Sequence, residues 1–330
     1  MPRSIESGVI FPSLFLAIIL IFKILESLPA ILGILPLRAK FVNDERAIRD
    51  DGKIIATGAY KDNVIKLLAV DADYREEGFL PKIISHIKDE LLSKGFKTTY
   101  IFTKPEYESM FNSLSYKTFA KTDKMLLVAD NFDEYNEFIN RVNDAGKFNA
   151  CIVMNANPFT KGHRYLVEYA AQRISNVIVF VVEANKSKFT FEERFKMVED
   201  GLQDIWVEVM PGGKFIISDM TFPSYFLKDD TDVARAHASL DAEIFVNRIA
   251  KDLGIRQRYV GDEPYDKLTQ IYNEELKKRE NENFKLMVVR RKAVEDEIIS
   301  ASKVRKLIEE GKDFSKFLPE STLSIIGGEK

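Results

Sequence analysis

The sequence predicts an α/β protein in two parts, an open parallel sheet over residues 147–330 preceded by a smaller α/β unit over residues 39–130. Three observations carry this. From Lys147 to Gly311, short aliphatic runs alternate with amphipathic stretches, the pattern of βαβ units. Residues 150–153 and 176–183 are apolar almost throughout, as strands covered on both faces of a parallel sheet are. Residues 131–146 are polar and helix-compatible, end at Gly146, and read as a linker.

A chain of 330 residues is long enough for two domains and a large core. Hydrophobic residues make up 45% and charged residues 30%, as in ordinary globular proteins. The net charge of −3 provides no basic field, so no nucleic-acid partner is expected. A single cysteine, Cys151, excludes an intramolecular disulfide and fits a reducing compartment, so a cytoplasmic location is expected. In a buried strand it reads as a packed thiol rather than a nucleophile. His86, His163 and His237 are scattered without ligand spacing, and no protein-held metal is expected.

Residues 1–38 are atypical. The run 8–22 is almost wholly apolar and 28–37 is apolar again, interrupted by Lys23 and Glu26 and punctuated by Pro12, Pro29 and Pro36. The uncharged stretch 7–22 falls short of the ~20 residues a spanning helix needs. Glu6 spoils the start of a signal peptide, and no small-residue cleavage site follows. Three readings stay open: a membrane-associating helix through 8–37, which ranks low, helices packed on the next domain, or a segment outside the native fold. No function is assigned to it.

In the smaller unit, 53–60 and 64–70 read as strands joined by a hairpin-like Lys61-Asp62-Asn63. Residues 73–80 open an amphipathic helix running to about Lys94. A strand at 98–103, a short helix at 105–112, and a closing pair at 116–120 and 125–129 complete it.

In the larger unit, the strand at 150–153 runs into a loop ending in Thr160-Lys161-Gly162-His163, followed by a helix-like run. Open α/β sheets place ligands at such strand–loop–helix junctions. Gly162 has no Cβ, so a phosphate or ribose can approach the backbone, and the free N–H groups of a helix start favour anionic oxygens. His163 can donate hydrogen bonds to a phosphate without being a metal ligand. Alone, the tetrapeptide reads as a capped turn. About 140 residues further on, the stretch 299–305 sets Ser300 and Ser302, either able to cap a helix, beside Lys303 and Arg305, which can face phosphate. Alone, it reads as a capped surface helix. Both together in one α/β domain point to a nucleoside triphosphate site.

Between them, the strand at 176–183 leads to Lys186 and Lys188 on the presumed ligand edge, with surface charge as the alternative for each. Glu192, Glu193 and Arg194 open the next helix. Short strands follow at 206–210 and 214–218 around Pro211-Gly212-Gly213. Residues 222–227 are an aromatic patch, either pocket lining or core. A long helix spans 231–253 with Asp232, Arg235 and Asp241 on its surface. After a strand at 256–260 comes a turn with Asp262 and Glu263, which either bind ribose or a metal or are solvated. A helix at 265–279, a last buried strand at 284–289 and a frayed tail at 319–330 complete the chain.

These residues carry a resemblance. Thr160-x-Gly162-His163 together with Ile299-Ser300-Ala301-Ser302-x-x-Arg305 resembles the nucleotidyltransferase superfamily, which cleaves ATP between the α and β phosphates. The longer stretch 153–168 is similar to the citrate lyase ligase family in particular, and Thr221-Phe-Pro-Ser-Tyr-Phe-Leu-Lys228, Val260 to Asp266, Tyr272 and Asn273 fit it too. The likeness runs over about residues 50–310.

It implies a Rossmann-like parallel sheet and an ATP-dependent ligase that activates acetate as acetyl-AMP. The acetyl group then passes to the thiol of the CoA-like prosthetic group on the citrate lyase acyl carrier subunit. ATP is the implied cofactor, with Mg²⁺ bound mostly by phosphate and water. By the same resemblance, His163 and Thr160 grip the phosphates around the scissile bond, and Lys303, Arg305, Ser300 and Ser302 hold the end that leaves as pyrophosphate. Asn155, Asn157, Phe159, Gly162, Lys186, Arg194 and Asp262 surround the nucleotide. An arginine commonly precedes the Thr-Phe-Pro-Ser segment in the family. Here Asp219 and Met220 stand there, so the acetate-binding cation is unidentified.

The unit at 39–130 resembles the GNAT-type acyltransferase fold, which often binds coenzyme A. Arg75 and Gly78 match its pyrophosphate pattern, but Leu80 replaces the second small residue and crowds the backbone. It either holds the carrier's CoA-like arm or only packs. Two other functions stay open: an adenylyltransferase of phosphopantetheine type that leaves AMP on its product, and a non-catalytic carrier-protein adaptor.

Overall fold

A computed structural model defines the fold. It describes residues 5–6, 44–50, 53–183, 187–218, 220–221, 232–263, 266–291, 293–294 and 297–327. Most of 1–38, Lys186 and the aromatic segment 222–228 therefore lie outside the described residues. The chain divides into two compact units, 1–134 and 135–330. Among the described residues, no helix is long and apolar enough to cross a membrane.

The first unit is one mixed sheet. Its strands are β1 (Ile5–Glu6), β2 (Asp44–Asp50), β3 (Lys53–Lys61), β4 (Val64–Val70), β5 (Tyr100–Thr103), β6 (Lys117–Lys121) and β7 (Leu126–Ala129), in the order β1-β2-β3-β4-β5-β7-β6. The hairpin turn holds Asp62 at φ 54. All neighbours are antiparallel except β4 and β5, which pair only at Val64 with Tyr100 and Ile65 with Ile101. Asn63 ties that junction by donating to the Thr98 carbonyl at 2.7 Å. Helix α1 (Phe79–Ser93) buries Phe79, Ile83, Ile84, Ile87 and Leu91 on the sheet, the three-and-four spacing of one helix face. Gly58 lets it approach closely, since a Cβ there would stand 2.7 Å from the Ile87 Cδ1. This is the GNAT-like arrangement the sequence predicts. Leu80 packs partly buried against this core. The short α2 (Glu108–Ser113) precedes β6.

Residues expected as a linker form α3 (Asp133–Ala145), whose Phe138 packs on Phe180 and Phe215 with ring centres 6.3 and 5.6 Å away. The second unit continues with β8 (Ala150–Met154), α4 (Lys161–Ala171), β9 (Val177–Val181), α5 (Phe191–Gly201), β10 (Val207–Pro211) and α6 (Asp232–Ile244). Helix α6 runs on through a π-helical stretch, Phe245–Ala250, and a last turn, Lys251–Leu253. Then come β11 (Gln257–Gly261), α7 (Lys267–Lys278), β12 (Lys285–Val289), a small hairpin of β13 (Ala293–Val294) and β14 (Glu297–Ile298), α8 (Ala301–Glu309) and α9 (Glu320–Gly327). Five strands form an all-parallel sheet in the order β10-β9-β8-β11-β12. The order reverses between β8 and β11, where open α/β sheets leave a crevice at the carboxyl ends of the strands. Burial pushes the Cys151 thiol in β8 up to about 12, consistent with a packed, inert side chain.

Three expectations need correction. Residues 214–218 are not a strand: Gly213 adopts φ 63 and starts a 3₁₀ turn, Gly213–Phe215. Asp241 is buried rather than on the surface of α6, because Ile217 N–H and Tyr272 O–H both donate to its carboxylate. The tail does not fray at 319. Helix α9 packs back on the domain, with the Thr322 hydroxyl donating to the Phe159 carbonyl at 2.9 Å.

Candidate functional site

The crevice between β8 and β11 opens into a cavity of about 850 Å³, within the range of small-molecule sites. The loop leaving β8 forms one wall. Ala156 sits there at φ 49, fully buried, a backbone state non-glycine residues hold only when their surroundings impose it.

Arg194 holds Asn155, the residue before Ala156. Fully buried, its Nε donates to the Phe189 carbonyl at 3.2 Å. One terminal nitrogen donates to the Asn155 carbonyl at 2.7 Å, the Asn155 Oδ1 at 2.9 Å and the Val182 carbonyl at 2.8 Å. A guanidinium is tolerated in the interior only when acceptors surround it. The resemblance places Arg194 around the nucleotide; the structure puts it behind the loop, outside the cavity lining, stitching β8 to the exit of β9. Asn157 is held in turn, its Oδ1 accepting from Phe189 N–H at 3.3 Å. Asn155 and Asn157 both line the cavity.

At the start of α4, Thr160 caps the helix. Its hydroxyl accepts from His163 N–H at 3.3 Å, and its own N–H donates to the His163 Nδ1 at 3.1 Å. A backbone N–H can only donate, so Nδ1 carries a lone pair and the ring proton belongs on Nε2. Burial, with Arg291 and Arg305 nearby, pushes His163 down to about 4. It is therefore a neutral donor at pH 7, its ring stacked on Phe159 at 5.9 Å. Phe159 is completely buried and belongs to the core beneath His163 rather than to the cavity wall. Thr160 and Gly162 line the cavity. Gly162 also serves packing, since a Cβ there would stand 3.3 Å from the Ile299 Cγ2. The missing side chain lets the two distant stretches meet.

The unfolded chain takes up the His163 proton near pH 6.5, the folded protein only near 4. The unfolded state thus binds more protons in that window, and stability falls as pH drops through it. The expected result is that His163→Gln flattens the melting-temperature curve between about pH 6.5 and 4. An unchanged slope counts against a ring held neutral.

The second stretch closes the opposite wall. Ser300 caps α8, its hydroxyl accepting from Lys303 N–H at 3.1 Å. Arg305 donates to the Asn157 carbonyl at 2.5 Å and to the Ser302 hydroxyl at 3.3 Å, which fastens α8 to the β8 loop. Ser300, Ser302 and Arg305 line the cavity; Lys303 does not, and its ammonium lies 4.8 Å over the Phe317 ring. Asp262 is also outside the lining and exposed, its N–H donating to the Val289 carbonyl at 2.8 Å. Its neighbour Glu263 lines the cavity and pairs with Arg291. Among the described residues, no group of three or more His, Cys, Asp or Glu side chains is placed to hold a metal ion.

Residues 149–326 match the family described as the citrate lyase ligase C-terminal domain. The [citrate [pro-3S]-lyase] ligase of Escherichia coli (strain K12) is 32% identical over 269 residues, covering 78% of this chain and 76% of that one. The protein of the same name from Haemophilus influenzae is 32% identical over 290 residues, covering 84% and 87%. That from Klebsiella pneumoniae is 34% identical over 230 residues, covering 68% and 67%.

The chain belongs to the citrate lyase ligase family.

In this family member the cavity also receives residues that sequence reasoning missed. Arg291, after β12, lines the site, and its charge helps to hold the His163 pKa down. Its place after the last parallel strand, on the ligand edge, was the available signal. Ser187 braces Asn155, accepting from its Nδ2 at 3.2 Å. Arg258 of β11 also lines the cavity.

Proposed function

We propose that this chain is an ATP-dependent acid–thiol ligase that acetylates the carrier subunit of citrate lyase. In this reading a carboxylate oxygen of acetate attacks the α-phosphorus of ATP. The bond from that phosphorus to the bridging oxygen breaks, and pyrophosphate leaves with the electron pair. The thiolate of the CoA-like arm then attacks the carbonyl carbon of acetyl-AMP, forming the thioester and releasing AMP. The reaction runs in the cytoplasm.

One observation carries this reading: both phosphate-type stretches, 160–163 and 300–305, line a single cavity and are fastened together by Arg305 on the Asn157 carbonyl. His163 Nε2, the start of α8 with Ser302, and the Arg291 and Arg305 guanidinium groups face the phosphates. They neutralise charge that builds in an in-line displacement, and no protein nucleophile is needed. Thr160 acts through His163. Asn155, Asn157 and Gly162 shape the nucleotide wall, which Arg194 and Phe159 support from behind. Lys303 steers from the rim. Mg²⁺ arrives with ATP, held mostly by phosphate and water.

The deciding experiment is ATP–pyrophosphate exchange across a panel of short carboxylates, followed by labelled ATP with the carrier subunit. Acetate-dependent exchange and AMP release with acetylated carrier support the reading. A stable adenylylated product favours an adenylyltransferase of phosphopantetheine type, and carrier binding without ATP binding favours an adaptor. Arg305→Met is expected to slow exchange by about 100-fold and to weaken ATP, because it removes both a phosphate cation and the tie to Asn157. Unchanged exchange would remove Arg305 from the site.

A further inference from the structure

The cavity also reaches a buried cation that makes no direct contact with a carboxylate. Arg258 is the second residue of β11 and is only 2% exposed. Val260, two residues on and on the same face of the strand, also lines the cavity, while Tyr259, on the other face, belongs to the core. The Arg258 guanidinium carbon lies 4.2 Å over the Phe245 ring and 5.1 Å over the Tyr272 ring. Among the described residues its one hydrogen bond runs from a terminal nitrogen to the Tyr272 hydroxyl, at 3.0 Å, and its buried Nε has no partner. A guanidinium carries five N–H donors in a fixed fork, so most of this fork is unused.

The nearest claimant as counter-ion is Asp241, and it is engaged elsewhere. Tyr272 O–H donates to one of its oxygens at 2.6 Å and Ile217 N–H to the other at 3.0 Å. Burial raises its pKa, against the opposing pull of the Thr221 and Tyr272 hydrogen bonds and of the Arg258 charge. Arg258 makes no direct hydrogen bond to Asp241: the Tyr272 hydroxyl bridges the two, and their charges interact at longer range. A buried cation without an adjacent anion is unfavourable, and this one borders a cavity open to ligand. The lining also includes the apolar Ile217, Val260 and Leu268.

We propose that Arg258 is the anchor for the carboxylate of the acyl acid, with Tyr272 as the positioning residue that holds the guanidinium fork toward the cavity. The apolar part of the lining suits a short aliphatic chain. This rests on the adenylation reading and gives it the carboxylate-binding cation that is lacking at Asp219 and Met220. The anchor holds the acid as its anion, the form that attacks phosphorus.

The test is exchange kinetics with acetate and ATP varied separately, in wild type, Arg258→Lys and Tyr272→Phe. Arg258→Lys keeps the charge and loses the fork. The apparent KM for acetate is expected to rise about 30-fold in Arg258→Lys and about 5-fold in Tyr272→Phe, with KM for ATP changed less than about 3-fold. Propionate and butyrate should suffer alongside acetate in Arg258→Lys, since the lost contact is to the carboxylate. A rise confined to the ATP KM would assign Arg258 to the nucleotide and overturn the proposal. An unchanged acetate KM with a lowered melting temperature would make Arg258 a purely structural cation, with the same consequence. If Arg258→Lys fails to fold, Tyr272→Phe, which retains the guanidinium, is read by the same KM split. Wild type lacking exchange with every carboxylate is failure of the adenylation reading itself, a result distinct from wild-type exchange that the variants leave untouched.

Discussion

His163→Ala lowers acetate-dependent ATP–pyrophosphate exchange by about 100- to 1,000-fold, the loss expected when one preorganised donor to a developing charge is removed. The ring is well prepared for that role. Thr160 N–H fixes the tautomer, Phe159 stacks beneath it, and burial, aided by the Arg291 and Arg305 charges, keeps it unprotonated. A neutral donor fixed before substrate arrives spends nothing on reorientation. His163→Gln, which can place an amide N–H near the Nε2 position, should recover part of the loss. The measurement is turnover with ATP saturating, alongside ATP affinity. A fall in affinity alone, with turnover intact, would move His163 from the transition state to ground-state binding.

Arg194→Ala has the largest expected effect on stability. The substitution strands the carbonyls of Phe189, Asn155 and Val182, together with the Asn155 side chain, in a fully buried setting. Breaking a buried charged network of this kind costs about 3–5 kcal/mol, which corresponds to a melting temperature lower by about 10 °C for a domain of this size. Thermal unfolding followed by circular dichroism reads it. Arg194→Lys should rescue little, because one ammonium cannot reach acceptors spread over two strand exits. A variant that melts like wild type but loses ATP binding would return Arg194 to the nucleotide.

The strand–loop–helix grammar around 150–163 was legible because it is local: an apolar run, a threonine cap and a glycine write themselves into adjacent positions. The meeting of 160–163 with 299–305 was legible only through the pairing of two weak signals. What sequence could not convey was the side of the loop each side chain takes. Arg194 follows a strand exit as a phosphate ligand would, yet it lies on the buried face of α5 and turns inward toward carbonyls. Asp241 was judged exposed because charged positions on a helix usually are, whereas α6 buries more than one face. Lys303 and Arg305 are two residues apart, so a helix sends them about 200° apart; only Arg305 reaches the cavity. The 3₁₀ turn at Gly213–Phe215 reads as a strand because Phe215, Ile216 and Ile217 are all buried, a pattern that periodicity cannot tell from a short strand.

Helix α9 reaches back to the loop that carries His163, with the Thr322 hydroxyl on the Phe159 carbonyl. Gly201 is squeezed between the two, leaving no room for even a methyl between Phe159 and Ser321. During synthesis, the β8 loop leaves the ribosome more than 150 residues before the segment that braces it. The rim of the sheet gains this brace only once translation has delivered α9.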